Sequence, residues 1–216
     1  MKKLLLLFFM LFGVMLMAET SVAPFAKGER VVFFGDSITH GGGYIFHIQM
    51  FEDLRYPGSG TVMLNAGISG DTAAGGCRRW GYEVLPMNPD RVFVMFGMND
   101  VGRSNYKSTE PTEEEQKKRQ NSLTNYTNNQ KNLVEMILKE GKKLVLMTPT
   151  AYDQYGEVKA DNKVAGNEPG LANCAEIVRQ LAYYLCAGCQ AWLVGRHLVI
   201  RLDLAILVVG GWSHQH

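Results

Sequence analysis

Charge of one sign is missing from this 216-residue chain: 22 Lys and Arg stand against 21 Asp and Glu, a formal net charge of +1. A balance this even leaves no basic footprint for nucleic acid and no electrostatic pull toward an anionic membrane surface. Cysteine is scarce. Cys77, Cys174, Cys186 and Cys189 are the only four; an exported chain could pair them, but their spacing resembles no disulfide-dense scaffold. Cys186 and Cys189 form a C-x-x-C, yet a zinc site needs a second ligand pair and a redox motif opens a helix after a strand. Neither context is present, so no metal and no cofactor are expected. Internal repeats and low-complexity segments are absent. So is any apolar run of the roughly 20 residues that a helix needs to cross a bilayer.

One shorter apolar run is present. Lys2 and Lys3 precede 14 apolar residues from Leu4 to Met17, closing on Ala18. A basic start, a short apolar stretch and a small residue at the end are the layout of a secretory signal peptide, so residues 1–18 are set apart from the fold. A permanent anchor is the secondary reading. Cys77 is the first cysteine, which leaves no attachment point for a lipid near the cut. Export to a periplasmic or extracellular compartment, with no stable membrane span after processing, is the expectation. Losing Lys2 and Lys3 tips the formal charge slightly negative, and the remaining length suits one domain by the prior of roughly 100 to 200 residues each.

From Arg30 onward short apolar runs alternate with longer amphipathic segments, the pattern of a parallel sheet with crossover helices. Strands are predicted at Val31 to Phe34, Thr61 to Leu64, Arg91 to Phe96 and Lys143 to Met147. Helices are predicted at Gly43 to Leu54, about Thr72 to Val84, Thr112 to Glu140 and Gly170 to Ala182. Pro111 and the acidic trio Glu113, Glu114 and Glu115 mark the third helix start, and Gly141 its stop. The polar stretch from Gln120 to Asn132 predicts a solvent-facing, broken middle for that helix. After Ala182 the composition changes: residues 183–216 hold only Arg196, Arg201 and Asp203 as charged residues, with three of the five histidines. Leu198 to Ile200 and Leu204 to Val209 are strand candidates there. The division is thus residues 1–18, a domain at 19–182 and an anomalous tail at 183–216.

Chemistry gathers at the ends of the first three strands, where parallel α/β sheets collect ligands and catalytic groups. Gly35-Asp36-Ser37 follows the first strand, Asn65-Ala66-Gly67-Ile68-Ser69-Gly70-Asp71 the second and Gly97-Met98-Asn99-Asp100 the third. A serine at a strand end caps a helix as readily as it attacks a carbonyl, and Asn99 could simply tie a loop. Attack of Ser37 on an ester would need donors for the oxyanion. The N–H groups of Ser37 and Gly67 and the Asn99 amide offer three. Asp36, Asp71 and Asp100 read as cap and loop residues.

Phe34-Gly35-Asp36-Ser37-Ile38-Thr39, Asn65 to Thr72 and Gly97-Met98-Asn99-Asp100 resemble, in order, the serine, glycine and asparagine blocks of the SGNH, or GDSL-type, hydrolases. The resemblance spans about residues 30 to 182. It implies a flavodoxin-like three-layer α/β/α sandwich with a parallel sheet, a serine nucleophile at Ser37, and Gly67 and Asn99 in the oxyanion hole. It also implies esterase or acylhydrolase activity, with acetyl esters on carbohydrates among the substrates. The family's fourth block, Asp-x-x-His, supplies the base and its orienting carboxylate. No aspartate of this chain has a histidine three residues on. His40, His47, His197, His214 and His216 each read as surface or structural. Two origins fit the break near residue 183, a frameshifted end or true divergence, and two alternatives to an active esterase follow: a catalytically silent binding protein, or a truncated product.

Overall fold

A computed structural model describes residues 25–106, 110–151, 167–187, 193–194 and 197–198. The expected signal segment, residues 1–18, and the strand candidate Leu204 to Val209 lie outside the described residues. Four parallel strands form the sheet: β1 (Arg30–Gly35), β2 (Val62–Gly67), β3 (Arg91–Met95) and β4 (Lys143–Leu146). Their order is β2-β1-β3-β4, so β1, which carries the serine loop, lies inside the sheet between the strands that carry the other two loops.

The apolar runs explain why the sheet is covered on both faces. Successive strand side chains point to opposite faces, and here they feed two cores. Val32 and Phe34 of β1, Val92 and Val94 of β3, and Leu144 and Leu146 of β4 join one apolar cluster. Their neighbours Val31, Phe33, Phe93, Met95, Val145 and Met147 join the other. The first cluster is closed by α3 (Ala73–Arg79), α4 (Glu113–Lys139) and α5 (Asn167–Ala187), through Ala73, Leu133, Ile137, Leu171 and Val178. The second is closed by Phe25, by Ile38 of α1 (Ser37–Gly41) and by Tyr44, Ile45 and Ile48 of α2 (Gly43–Arg55). The result is the three-layer α/β/α sandwich expected from the sequence.

Two expectations need correction. α4 is continuous rather than broken. Thr112 and Glu115 form a reciprocal capping box at its start, and within the polar stretch Tyr126 and Gln130, one turn apart, are buried. The Tyr126 hydroxyl donates to the Phe96 carbonyl at 3.0 Å and accepts from Gln130 Nε2 at 3.0 Å. A helix face that is polar in composition therefore packs inward by hydrogen bonding the chain just beyond β3. The last helix is also longer than the expected Gly170 to Ala182, since α5 runs Asn167–Ala187. Beyond it, Leu193–Val194 (β5) and His197–Leu198 (β6) pair antiparallel; of the strand candidate Leu198 to Ile200 only Leu198 is among the described residues.

At the amino ends of the strands a buried carboxylate holds three of them together. Glu29, 3% exposed, accepts from Arg91 Nε at 2.9 Å and Nη2 at 3.3 Å, from Lys143 Nζ at 3.4 Å and from the Ala26 N–H at 2.7 Å. Burial by itself would raise its pKa; hydrogen bonds from Arg91 and Ala26 and the charges of Arg91 and Lys143 outweigh it and hold the carboxyl below the ordinary value. The stabilisation is thus present above the unfolded pKa and is lost as pH falls through the lowered folded one. Glu29→Ala strands the buried Arg91 charge and is expected to cost on the order of 3–5 kcal/mol in urea unfolding at neutral pH. A loss below about 1 kcal/mol would make the network an ornament.

Candidate active site

The serine loop is built by three local constraints. Gly35 ends β1, where a Cβ would collide with the Thr39 side chain and the Met95 carbonyl oxygen. Asp36, almost fully buried, takes the N-cap of α1, its side chain accepting from the Ile38 N–H at 3.0 Å. Ser37 is consequently the first helical residue and not the cap, and it is exposed. The cap role that competes for a serine at this position is thus already filled by its neighbour. Thr39, fully buried, is within hydrogen-bond distance of the Tyr44 hydroxyl at 3.0 Å, which ties α1 to α2.

The glycine loop lies directly against α1. A Cβ on Gly67 would collide with the backbone of Thr39 and His40. Asn65 works from both ends of its amide: Nδ2 donates to the Thr39 and His40 carbonyls at 2.8 and 3.2 Å, while Oδ1 accepts from the Gly67 N–H at 2.9 Å. The Gly67 N–H that the sequence offers to an oxyanion is therefore engaged with Asn65 in this structure. The Gly67 carbonyl lies 3.1 Å from His40 Nδ1.

The third loop is joined to the second. Gly97 adopts φ +138° with its missing Cβ facing Pro149 and Cys174, a conformation that a side chain would strain. Asn99 Nδ2 donates to the Asp71 carbonyl at 2.8 Å, and Asp100 Oδ1 accepts from the Ala73 N–H at 2.9 Å. Asp71 and Asp100 are loop and cap groups, as the sequence suggested. All three singled-out residues, Ser37, Gly67 and Asn99, stand at or just beyond the carboxyl ends of adjacent strands, with Ser37 on the middle one.

Sequence reasoning missed the residue that joins these loops. Arg79, at the end of α3, donates from Nε to Asp71 Oδ2 at 2.7 Å, from Nη1 to Glu83 Oε1 at 3.1 Å and from Nη2 to the Gly35 carbonyl at 3.1 Å. Its guanidinium also lies 4.4 Å from the centre of the Phe34 ring. Only the pairing with Glu83, four residues on in sequence, was legible. Among the described residues no group of three or more His, Cys, Asp and Glu side chains could hold a metal ion.

A model of the GDSL-like lipase/acylhydrolase family matches residues 33–189, most of the chain. The chain belongs to that family. Among curated relatives of this GDSL-like protein, an acetylxylan esterase of Geobacillus stearothermophilus is 35% identical over 92 residues, 36% of this chain and 42% of that one. The uncharacterized lipoprotein YqeF of Bacillus subtilis (strain 168) is 37% identical over 79 residues, 34% of this chain and 32% of that one. This chain thus spans less than half the length of these relatives. A gut microbial diltiazem-metabolizing enzyme, BT4096, superposes with a TM-score of 0.63 at 26% identity, covering 87% of this chain and 38% of its own. Axe2, an acetylxylan esterase from Geobacillus stearothermophilus, superposes at 0.58 with 26% identity over 74% of each chain. The likeness places the fold in the SGNH hydrolase superfamily.

The acids around the serine loop are not equivalent. Burial, aided by the charge of Asp71, raises the Asp36 pKa despite the Ile38 N–H. Burial likewise pushes Asp100 up to about 6, with Asp36 adding to it and the Ala73 N–H opposing it. Asp100 Oδ2 is buried without a hydrogen-bond partner among the described residues. A folded pKa above the unfolded one means that the folded state binds the extra proton. Stability therefore falls as pH rises from the ordinary aspartate value to about 6, and the penalty is complete above it. Asp100→Asn keeps an oxygen for Ala73 and removes the charge, so its melting temperature relative to the parent should climb across that window, by an amount equivalent to on the order of 3 kcal/mol. A difference that does not change with pH would show that Asp100 is not the group responsible.

Proposed function

We propose that this chain is a carboxylic-ester hydrolase, its catalytic domain within residues 19–182, in which the Ser37 hydroxyl attacks the acyl carbonyl to give a covalent acyl-enzyme. The observation that carries this reading is the placement of Ser37: exposed, relieved of capping by Asp36, and flanked by the glycine and asparagine loops. Catalytic mutants of the similar Axe2 replace a serine, an aspartate or a histidine three positions after that aspartate, which supports a serine mechanism for the shared fold. Attack places negative charge on the carbonyl oxygen, and donors fixed about 2.7 to 3.1 Å from it lower the barrier. The Ser37 N–H and the Asn99 amide, which has two N–H groups and gives one to Asp71, are the first two. Gly67 joins them when its N–H leaves Asn65 Oδ1. No cofactor enters this chemistry.

The substrate class we infer is an acyl, foremost acetyl, ester of a carbohydrate, supported by the acetylxylan esterase relatives. Export to a periplasmic or extracellular site is supported by the Lys2-Lys3 leader and by the lipoprotein among the relatives. Among the described residues no helix is long and apolar enough to cross a membrane.

The missing Asp-x-x-His favours one second reading, a protein that keeps the fold and binds esters without turning them over. Loss of the base alone costs a serine hydrolase on the order of 10⁶ in turnover. Hydrolysis of 4-nitrophenyl acetate by the folded protein, with and without added imidazole, separates the two. The esterase reading expects turnover that Ser37→Ala abolishes and that Asn99→Ala lowers by about 10²- to 10³-fold. Hydrolysis indifferent to Ser37→Ala sinks the nucleophile assignment. Folded protein that is silent even with imidazole but still binds acetylated sugars supports the second reading.

A further inference from the structure

Among the described residues, one helix is apolar on sides that nothing covers. α2 buries Ile45 against the sheet, with Tyr44 and Ile48 packed beside it. Its remaining large apolar residues face outward: Phe46 is 65% exposed, Met50 45%, Phe51 60% and Leu54 77%. At about 100° per residue, Phe46, Met50 and Leu54 fall within an 80° arc, and Phe51 extends it to about 140°. Tyr56, just past the helix, continues the strip, its ring 6.5 Å from that of Phe51. The side chains within this arc are uncharged apart from any proton on His47.

We infer that this strip is the contact surface between two copies of the chain, α2 packing on α2 about a two-fold axis near Met50. Three observations select a second copy as the occupant. The strip is symmetric about Met50, with Phe46 four residues before it and Leu54 four after, so antiparallel pairing lays one strip along the other for its whole length, as an isologous contact requires. The exposed area of these five residues is roughly 550 Å², close to the 600 Å² that each partner contributes at the lower limit of specific interfaces. Among the described residues the sheet ends, beside α2, in β2, an edge strand whose residues Val62 to Gly67 include no charge and no proline; an exposed edge is normally guarded by one or the other. A lipid surface fits less well, because membrane-lying helices carry Lys and Arg on their polar face, whereas α2 has a single residue of that kind, Arg55, against Glu52 and Asp53.

Sedimentation equilibrium of the purified protein at micromolar concentration tests this. The parent is expected at twice the monomer mass, and Leu54→Glu and Phe46→Glu, each at an exposed position, as monomers with unchanged circular dichroism and at least a tenfold weaker dissociation constant. Met50→Cys gives an independent readout, since a cysteine near the two-fold axis should form an intermolecular disulfide under mild oxidation that the parent does not form. A parent that is monomeric throughout overturns the proposal, including one that instead floats with phosphatidylcholine vesicles. So does a dimer that survives both glutamate variants, or a Met50→Cys protein that remains uncrosslinked.

Discussion

Arg79 is the interaction on which the site depends. Its side chain is 4% exposed and its guanidinium reaches the Gly35 carbonyl at the base of the serine loop and the Asp71 carboxylate in the glycine loop. Asp71 passes the connection on, because its main-chain oxygen accepts from Asn99. Three loops that leave three different strands are thereby fixed to one planar cation, whose face lies on Phe34. A charge buried this deeply is tolerated only when its donors are used. The planar fork of arginine supplies several directed bonds where lysine would offer a point charge. In the proposed mechanism the Asn99 amide is an oxyanion donor, and such donors act best when they are held in place; the chain from Asn99 through Asp71 to Arg79 supplies that hold.

The two ends of the sheet are electrostatic opposites. At the amino ends one carboxylate, Glu29, meets two cations and a backbone N–H, and its proton affinity falls. At the carboxyl ends Asp36, Asp71 and Asp100 share one neighbourhood, and Arg79 pairs directly with Asp71 alone. The first arrangement is that of a fastening. The second raises the proton affinity of Asp36 and Asp100, chiefly through burial. The fastening and the proposed site thus occupy opposite rims of the same strands.

Much of this was legible in the sequence. The Val- and Phe-rich runs of β1 and β3 are buried on both faces, and a continuous apolar run is what such a strand requires. The blocks holding Ser37, Gly67 and Asn99 gave the order in which the loops arrive at the site. What was not legible depends on contacts far apart in the chain. Tyr126 and Gln130 sit in a polar stretch that reads as solvent-facing, and only the arrival of the Phe96 carbonyl beneath the helix makes their burial favourable. Arg79 reads as an ordinary helical arginine until the glycine loop brings Asp71 to it. Asn65 sits in a strand, where its side chain has no local partner in α1 to announce that it binds there.

Gly35, Gly67 and Gly97 share one condition: the volume that a side chain would take is already occupied, by Thr39 and Met95, by the backbone of α1, and by Pro149 and Cys174. The floor of the site is therefore closed to variation by substitution, since even a methyl group there displaces backbone or the core. Descendants of this chain have their freedom elsewhere, in the exposed residues Ile68 and Ser69 that follow Gly67, and in the lengths of the loops. For the proposed esterase, such a design lets specificity drift while Ser37 stays where its strand puts it.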